Sequence, residues 1–268
     1  MRTSRSRQVI AVSELAFENV TVRFGTRRHS TTAVAGVDLT IPHGTIVGLV
    51  GESGSGKSTL ARAAVGLVPV DNGRILLNGH PIDRRARNLQ MVFQDPHSAL
   101  DPRMTIGESI GEALPRRMRN RRDRVAELLG LVDLSTECAR QYPAQLSGGQ
   151  RQRVGLARAL AGEPEVIIAD EITSALDVSI QGTVLNLVRD LQRRMRLSML
   201  FISHNLAVVR YVSDFIAVMY QGRIVEHGPA DEVLADPKDP YTRELLAAAA
   251  DPAGQLNLGE TGDTTPAH

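Results

Sequence analysis

The segment Gly51-Glu52-Ser53-Gly54-Ser55-Gly56-Lys57-Ser58-Thr59 restricts the fold more than any other part of the chain. An apolar run, Ile46 to Val50, precedes it, and a helix-forming stretch, Ser58 to Leu67, follows. Strand, glycine-rich loop and helix in that order match the P-loop pattern. The glycines let the backbone wrap an anion with its N–H groups. The helix behind the loop points its positive end at the same place. Lys57 then reaches the β- and γ-phosphates of a nucleotide, and Ser58 offers a hydroxyl to Mg²⁺. Gly51, Ser53, Gly54, Ser55, Gly56, Lys57, Ser58 and Thr59 are therefore candidate nucleotide-binding residues. A glycine-rich turn with an incidental lysine would not explain the match at every position. A P-loop by itself leaves ATPases, GTPases and kinases all open.

The surrounding pattern is α/β. Leu89 to Phe93, Val166 to Ala169, Met199 to Ile202 and Phe215 to Met219 are apolar runs like Ile46 to Val50. Such runs suit a mostly parallel sheet buried on both faces. Helical patterns fall between them at Gln150 to Ala161, Val178 to Arg194 and Leu206 to Val212. Two earlier stretches alternate instead: Val20, Val22, Phe24 and Val37, Leu39, Ile41. They predict half-exposed antiparallel strands, with Gly25 to Thr32 as a polar hairpin loop. Turn signals at Asp71-Asn72-Gly73 and Asn78-Gly79 bracket a further strand, Arg74 to Leu77. Between Gln94 and Ser147 the strand pattern stops, and Ile106 to Leu114 and Arg122 to Leu129 read as helices of an insertion. After Gly228 come short helices broken at Pro237 and Pro240. From Asp251 the chain is rich in Gly, Pro, Thr and acid, which predicts disorder.

Composition narrows the function classes. The 268 residues are 42% hydrophobic and 23% charged, enough for a real core. There is no Trp, and only four Tyr and five Phe, which argues against a base-stacking nucleic-acid surface. Net charge is +1, so no bulk attraction to nucleic acid follows. Arg116, Arg117, Arg119, Arg121, Arg122 and Arg124 form a local basic run. It reads as a solvated helix face or as a patch for anionic lipid or an acidic partner. Cys138 is the single cysteine, so intramolecular disulfides and cysteine metal clusters are excluded, and a reducing cytosol is the natural setting. No segment has the run of about 20 apolar residues that crosses a bilayer. Met1 to Arg7 is basic, but Val9 to Val12 is too short for a signal peptide. A membrane role must then act through a partner.

Two further motifs bear on chemistry. Val166 to Ala169 ends in Asp170-Glu171. A carboxylate at a strand end near a P-loop can hold Mg²⁺ through water, and its neighbour can orient and deprotonate an attacking water. Leu146-Ser147-Gly148-Gly149-Gln150 opens an apolar helix. Ser147 and the glycines there read equally as a helix cap or as a second anion site, and the stretch alone does not separate the two.

With these residues in place, the chain resembles the ATP-binding subunits of ABC transporters across residues 13 to 250 or so. Leu146 to Gln150 is that family's signature, combined here with the P-loop and the Asp170-Glu171 strand. The resemblance implies a P-loop NTPase core with an antiparallel β subdomain and a helical insertion. It implies a domain over 13–235, with the insertion at roughly 96–150. A C-terminal extension follows at 236–250, then the tail at 251–268. It also implies a head-to-tail dimer, homomeric or with a related ATPase. Mg-ATP would lie between the P-loop of one subunit and Ser147, Gly148, Gly149 and Gln150 of the other. Gln94 matches the glutamine that contacts Mg²⁺ and senses the membrane partner. Asp177, in Ser174-Ala175-Leu176-Asp177, matches the loop that crosses the dimer. His204 matches the histidine at the γ-phosphate, and Phe24 the aromatic that stacks on adenine. Taken singly, His204 could be structural and Phe24 core. Glu171, His204, Lys57 and Gln94 form the expected catalytic set, and Ser58, Gln94 and Asp170 the Mg²⁺ set.

Two positions depart from the family. Ile172 stands where Pro usually follows the catalytic Glu, which leaves the turn's φ unlocked. Asn205 stands where Asp often follows the histidine, which removes a charge beside His204. Met91 to Pro96, Leu100 to Arg103 and the late Pro240-Tyr241-Thr242 with Leu245-Leu246 look like the oligopeptide, dipeptide and nickel importer ATPases. That likeness implies two membrane permeases and an extracytoplasmic solute-binding protein. It places the chain at the cytoplasmic face of the membrane, with no nucleic-acid partner. The rival reading is a soluble accessory ATPase of a phosphonate-degrading complex.

Overall fold

The computed structural model describes residues 14–26, 29–82, 88–95 and 100–250. The chain start, residues 96–99 of the insertion and the tail from Asp251 lie outside these.

Two sheets carry the architecture. One is antiparallel and four-stranded, in the order β2-β1-β4-β5, built from β1 (Leu15–Thr26), β2 (His29–Ile41), β4 (Asn72–Leu77) and β5 (His80–Pro81). The other is six-stranded, in the order β10-β9-β3-β8-β7-β6. It contains β3 (Ile46–Val50), β6 (Leu89–Val92), β7 (Val166–Asp170), β8 (Ser198–Ile202), β9 (Phe215–Tyr220) and β10 (Arg223–Pro229). All neighbours in this second sheet are parallel except β9 and β10.

Alternation along the central strands divides the core in two. Successive side chains of a strand leave opposite faces. Val47, Leu49, Ile168, Leu200, Ile202, Ala217 and Met219 pack with the antiparallel sheet and Leu60 of α1 (Lys57–Ala64). Their neighbours Ile46, Val50, Ile167, Ala169, Met199, Phe201, Ile216 and Val218 pack against helices on the other side. Those helices include α4 (Gly148–Ala161), α5 (Val178–Met195) and α6 (Leu206–Val212). A sheet buried on both faces explains why its strands read as unbroken apolar runs.

Between β6 and β7, the described residues form helices and no strand. Here α2 (Ile106–Ala113) and α3 (Arg121–Leu131) pack with α4. Thr105 and Glu108 start α2 with a capping box: Thr105 N donates to Glu108 Oε2 at 2.8 Å, and Glu108 N donates to Thr105 Oγ1 at 3.3 Å. Beyond β10 come α7 (Ala230–Ala235) and α8 (Pro240–Ala250). Pro240 is the first residue of α8 rather than a break, because a first-turn N–H has no intrahelical partner to lose.

Two further expectations are corrected, and one strand is added. The hairpin loop predicted over Gly25 to Thr32 is largely strand: Phe24 pairs with Thr31, Gly25 with Ser30 and Thr26 with His29. Residues 27–28 lie outside the described set. Polar residues pair there because this end of the two-stranded ribbon faces solvent on both sides. The arginine run is not one helix face. Arg116, Arg117 and Arg119 are exposed in the α2–α3 turn, while Arg121, Arg122 and Arg124 enter α3. Arg121 donates to the carbonyls of Gly111 and Pro115, and Arg124 lies 2.8 Å from Glu127. Finally, β10 has no counterpart in the sequence reading. It follows the two-residue turn Gln221-Gly222, whose φ values of 45° and 81° suit a tight hairpin.

Candidate active site

Sheet order assembles the site. Strands β3, β8, β7 and β6 lie side by side and run parallel, so their C-terminal ends share one edge, the usual place for ligands in such sheets. Gly51 to Gly56 leaves β3, His204 follows β8, Asp170-Glu171 closes β7, and Gln94 follows β6. Neighbouring strands are about 4.8 Å apart, which brings four distant stretches of sequence within side-chain reach.

The loop after β3 is held against two backbones. A Cβ on Gly51, at φ +149°, would sit 2.1 Å from Met219 O; one on Gly56, at φ +108°, would sit 2.3 Å from Ala33 O. Only glycine permits both the conformation and the approach. Gly54 and Ser53 are exposed at the loop tip, and Ser55 is buried. Lys57, 4% exposed, turns back into the loop and donates to Gly51 O at 2.8 Å, Glu52 O at 2.6 Å and Ser55 Oγ at 3.3 Å. Burial pulls its ammonium below the usual lysine range, against the opposing pull of Glu171, Asp170 and Glu52.

Ser58 Oγ donates to Asp170 Oδ1 at 3.0 Å. Burial pushes the Asp170 carboxyl up, with the Ser58 hydrogen bond opposing and Glu171 adding to the push. A buried carboxylate with one neutral donor is an electrostatic deficit that a cation would fill. Among the described residues no cluster of three His, Cys, Asp or Glu could cage a metal. The hydroxyl and carboxylate oxygens of Ser58 and Asp170, 3.0 Å apart, are a donor set that fits Mg²⁺, which uses one or two protein oxygens and completes its shell with phosphate and water.

Glu171 is gripped from both sides. Gln94 Nε2 donates to its Oε2 at 2.9 Å, and His204 Nδ1 lies 3.3 Å from its Oε1. Its backbone sits at φ 48°, a left-handed conformation that costs a non-glycine residue about 1–3 kcal/mol. Glu171 N donates to Ile202 O at 3.0 Å, and Glu171 O accepts from Ser174 N at 3.1 Å and Ser174 Oγ at 2.9 Å. The turn expected to be loose without proline is thus fixed by Ser174, and Ile172 is buried in the core at 1% exposure. Asn205 likewise keeps a structural role: its Oδ1 accepts from Ala207 N at 3.0 Å and Val208 N at 3.4 Å, capping α6 beside His204. Asn205→Ala should cost about 1 kcal/mol in a denaturant melt, and Asn205→Asp should change little.

The remaining residues lie elsewhere on the chain. Ser147 caps α4: Gln150 N donates to Ser147 Oγ at 3.3 Å, and Ser147 N donates to Gln150 Oε1 at 2.9 Å. Gly149 is tight against Ile180, where an added Cβ would meet Cγ2 at 2.5 Å, and Gly148 faces Leu176. Asp177 is exposed at the start of α5. Among the described residues no hydrogen bond joins Ser147 to Gln150 with Gly51 to Thr59. Phe24 is 46% exposed on β1 and so is not core. Sequence reasoning missed Ser174 as the brace of Glu171 and Tyr241 as a neighbour of the loop, since Tyr241 Oη accepts from Glu52 N at 3.0 Å. Neither contact leaves a pattern in the sequence.

Comparison with known proteins identifies the family. The family profile described as ABC transporter matches residues 34–174. A putative peptide import ATP-binding protein of Brucella abortus is 51% identical over 227 residues, covering 80% of this chain and 68% of that protein. The oligopeptide transport ATP-binding protein OppF of Bacillus subtilis is 46% identical over 248 residues, covering 87% of this chain and 81% of that protein. Among solved structures, cbiO1 of Clostridium perfringens, part of an ABC transporter complex, aligns with a TM-score of 0.74 at 27% identity, covering 83% of this chain and 90% of that one. A dimeric ATP-binding cassette in a post-hydrolysis state with ADP and Pi aligns at 0.70 and 29%, covering 81% and 98%. A nucleotide cradle, a carboxylate pair and this breadth of likeness lead to one assignment: the chain belongs to the ABC transporter family, as an ATP-binding, ATP-hydrolysing member.

Proposed function

We propose that this ATPase powers a membrane importer for peptides or a similar small solute. The observation that carries its ATPase part is the clamp of Glu171 between Gln94 and His204 near the phosphate loop. The import part rests on the relatives named as peptide and oligopeptide import ATP-binding proteins. Lys57 and the loop N–H groups bind the phosphates, with Phe24 stacking on the base. Ser58, Asp170 and Gln94 would hold Mg²⁺, which would supply charge neutralisation at the phosphates. Glu171 orients a water and takes its proton as the water oxygen bonds to the γ-phosphorus and the bond from that phosphorus to the β–γ bridging oxygen breaks, leaving ADP and phosphate. His204 holds both Glu171 and the γ-phosphate in register.

Ser147 and the first N–H groups of α4 act on ATP held by a second subunit, with Asp177 at the seam. A head-to-tail dimer is supported by the dimeric state of a solved relative. The nucleotide-binding domain spans 13–235 and the C-terminal extension 236–250. Two permeases supply the membrane path, a solute-binding protein delivers the solute from outside, and this chain sits at the cytoplasmic face. Among the described residues no helix is long and apolar enough to cross a membrane.

The test is co-purification from detergent-solubilised membranes. A polytopic permease should come down with the chain, and peptide with its binding protein should stimulate ATP hydrolysis in proteoliposomes. Recovery only in a permease-free complex would favour the accessory-ATPase alternative.

A further inference from the structure

The peptide unit that joins Gly51 to Glu52 is held at both ends. Its carbonyl oxygen accepts from Lys57 Nζ at 2.8 Å, and its N–H, which belongs to Glu52, donates to Tyr241 Oη at 3.0 Å. A planar peptide points these two groups in opposite directions, so fixing the N–H fixes where the carbonyl aims. Tyr241 lies on α8, 189 residues further along the chain than Glu52.

The phenol is firmly placed. Tyr241 is 9% exposed, and its ring lies against Tyr220, with centroids 4.2 Å apart. Tyr220 ends β9, and the turn after it returns to the loop, where Gly222 N donates to Ser55 O at 2.9 Å. The start of α8 is tied down in turn. Asp239 Oδ1 accepts from Tyr241 N at 2.8 Å, and the Glu226 carboxylate on β10 accepts from Lys238 N at 2.8 Å and Asp239 N at 3.1 Å.

Lys57 shows what this support achieves. Its ammonium has three donors. The carbonyls of Gly51 and Glu52 take two of them at 2.8 and 2.6 Å, and the Ser55 hydroxyl takes the third at 3.3 Å. The long third bond is the one a phosphate can displace, while the two carbonyls keep the ammonium aimed into the loop. We infer that Tyr241 is a positioning residue for nucleotide binding: it holds the Gly51–Glu52 peptide so that its carbonyl directs Lys57 at the phosphate. The C-terminal helix is thereby a control point for ATP affinity, because displacing α8 frees that peptide. This inference rests on Gly51 to Thr59 being the nucleotide cradle and adds a residue outside every motif of that cradle.

Tyr241→Phe deletes one oxygen and keeps the ring against Tyr220. Loss of the hydrogen bond should raise the ATP Kd and KM about five- to tenfold. The kcat at saturating ATP should stay within about twofold, the split expected when binding rather than chemistry is weakened. Tyr220→Phe removes the neighbouring phenol and should leave both constants unchanged. A Tyr241→Phe protein with the parent's Kd and KM would overturn the inference. So would an equal shift in Tyr220→Phe. Should Tyr241→Phe fail to fold, Glu226→Ala loosens the start of α8 without touching the loop. A raised Kd there supports the tie, and an unchanged Kd overturns it. Failure of the parent protein itself to bind Mg-ATP would instead refute the cradle reading.

Discussion

Glu171→Gln should bind Mg-ATP as the parent does and turn it over about a hundredfold more slowly, or worse. The substitution is nearly isosteric. A glutamine oxygen at this position still accepts from Gln94 Nε2, which lies 2.9 Å from Glu171 Oε2 in the parent. The braces on the backbone, Ser174 and Ile202, are untouched. What is lost is the base: an amide can orient a water but cannot take its proton. Binding should be preserved, since in the proposed site the phosphate contacts come from the loop and Lys57, and removing a negative charge near the γ-phosphate would not weaken them. Phosphate release in the steady state and a fluorescent-nucleotide titration separate the two quantities. Hydrolysis within a few-fold of the parent would remove Glu171 from the role of base.

Lys57→Ala should fail earlier, at binding, with affinity for ATP reduced by at least about thirtyfold. Three hydrogen bonds from a buried ammonium disappear together. The carbonyls of Gly51 and Glu52 lose their partner, and Asp170, a buried carboxyl already pushed up, loses a neighbouring positive charge. Nucleotide titration of the purified variant measures this directly. The same variant tests the dimer. Mixed with a Ser147→Ala chain, it should form hybrids with one intact composite site, as the proposed action of Ser147 on the partner's nucleotide requires. Hybrids with no active site, as dead as either variant alone, would place Ser147 in its own chain's site, and two fully active sites would remove both residues from the chemistry.

Legibility in the sequence followed the range of the interaction. The P-loop was readable because each of its functions is local: glycines for close approach, a helix end for the anion, a lysine in between. The buried strands were readable because burial on both faces removes polar residues from them. Strand β10 was not, since Gln221-Gly222 is a weak turn signal and the strand after it carries Glu226 and His227 on an exposed edge. The polar end of the β1–β2 ribbon read as loop for a similar reason: backbone pairing leaves no apolar mark where neither face is covered. Without proline at position 172, the catalytic turn is held by hydrogen bonds from Ser174 to the Glu171 carbonyl, a contact that residue type alone does not announce.

Local chemistry, written in consecutive residues, determined the phosphate loop, the acidic strand end, the helix cap at Ser147 and the family to which they belong. Tertiary structure alone decided that Gln94, Glu171 and His204 meet at one carboxylate, because strand order in a sheet is set by the packing of the whole chain. It alone decided, too, that a tyrosine from the last helix grips the loop's first peptide. A hydrogen bond spanning 189 residues is free of any sequence period, and only the closed fold brings its two ends together.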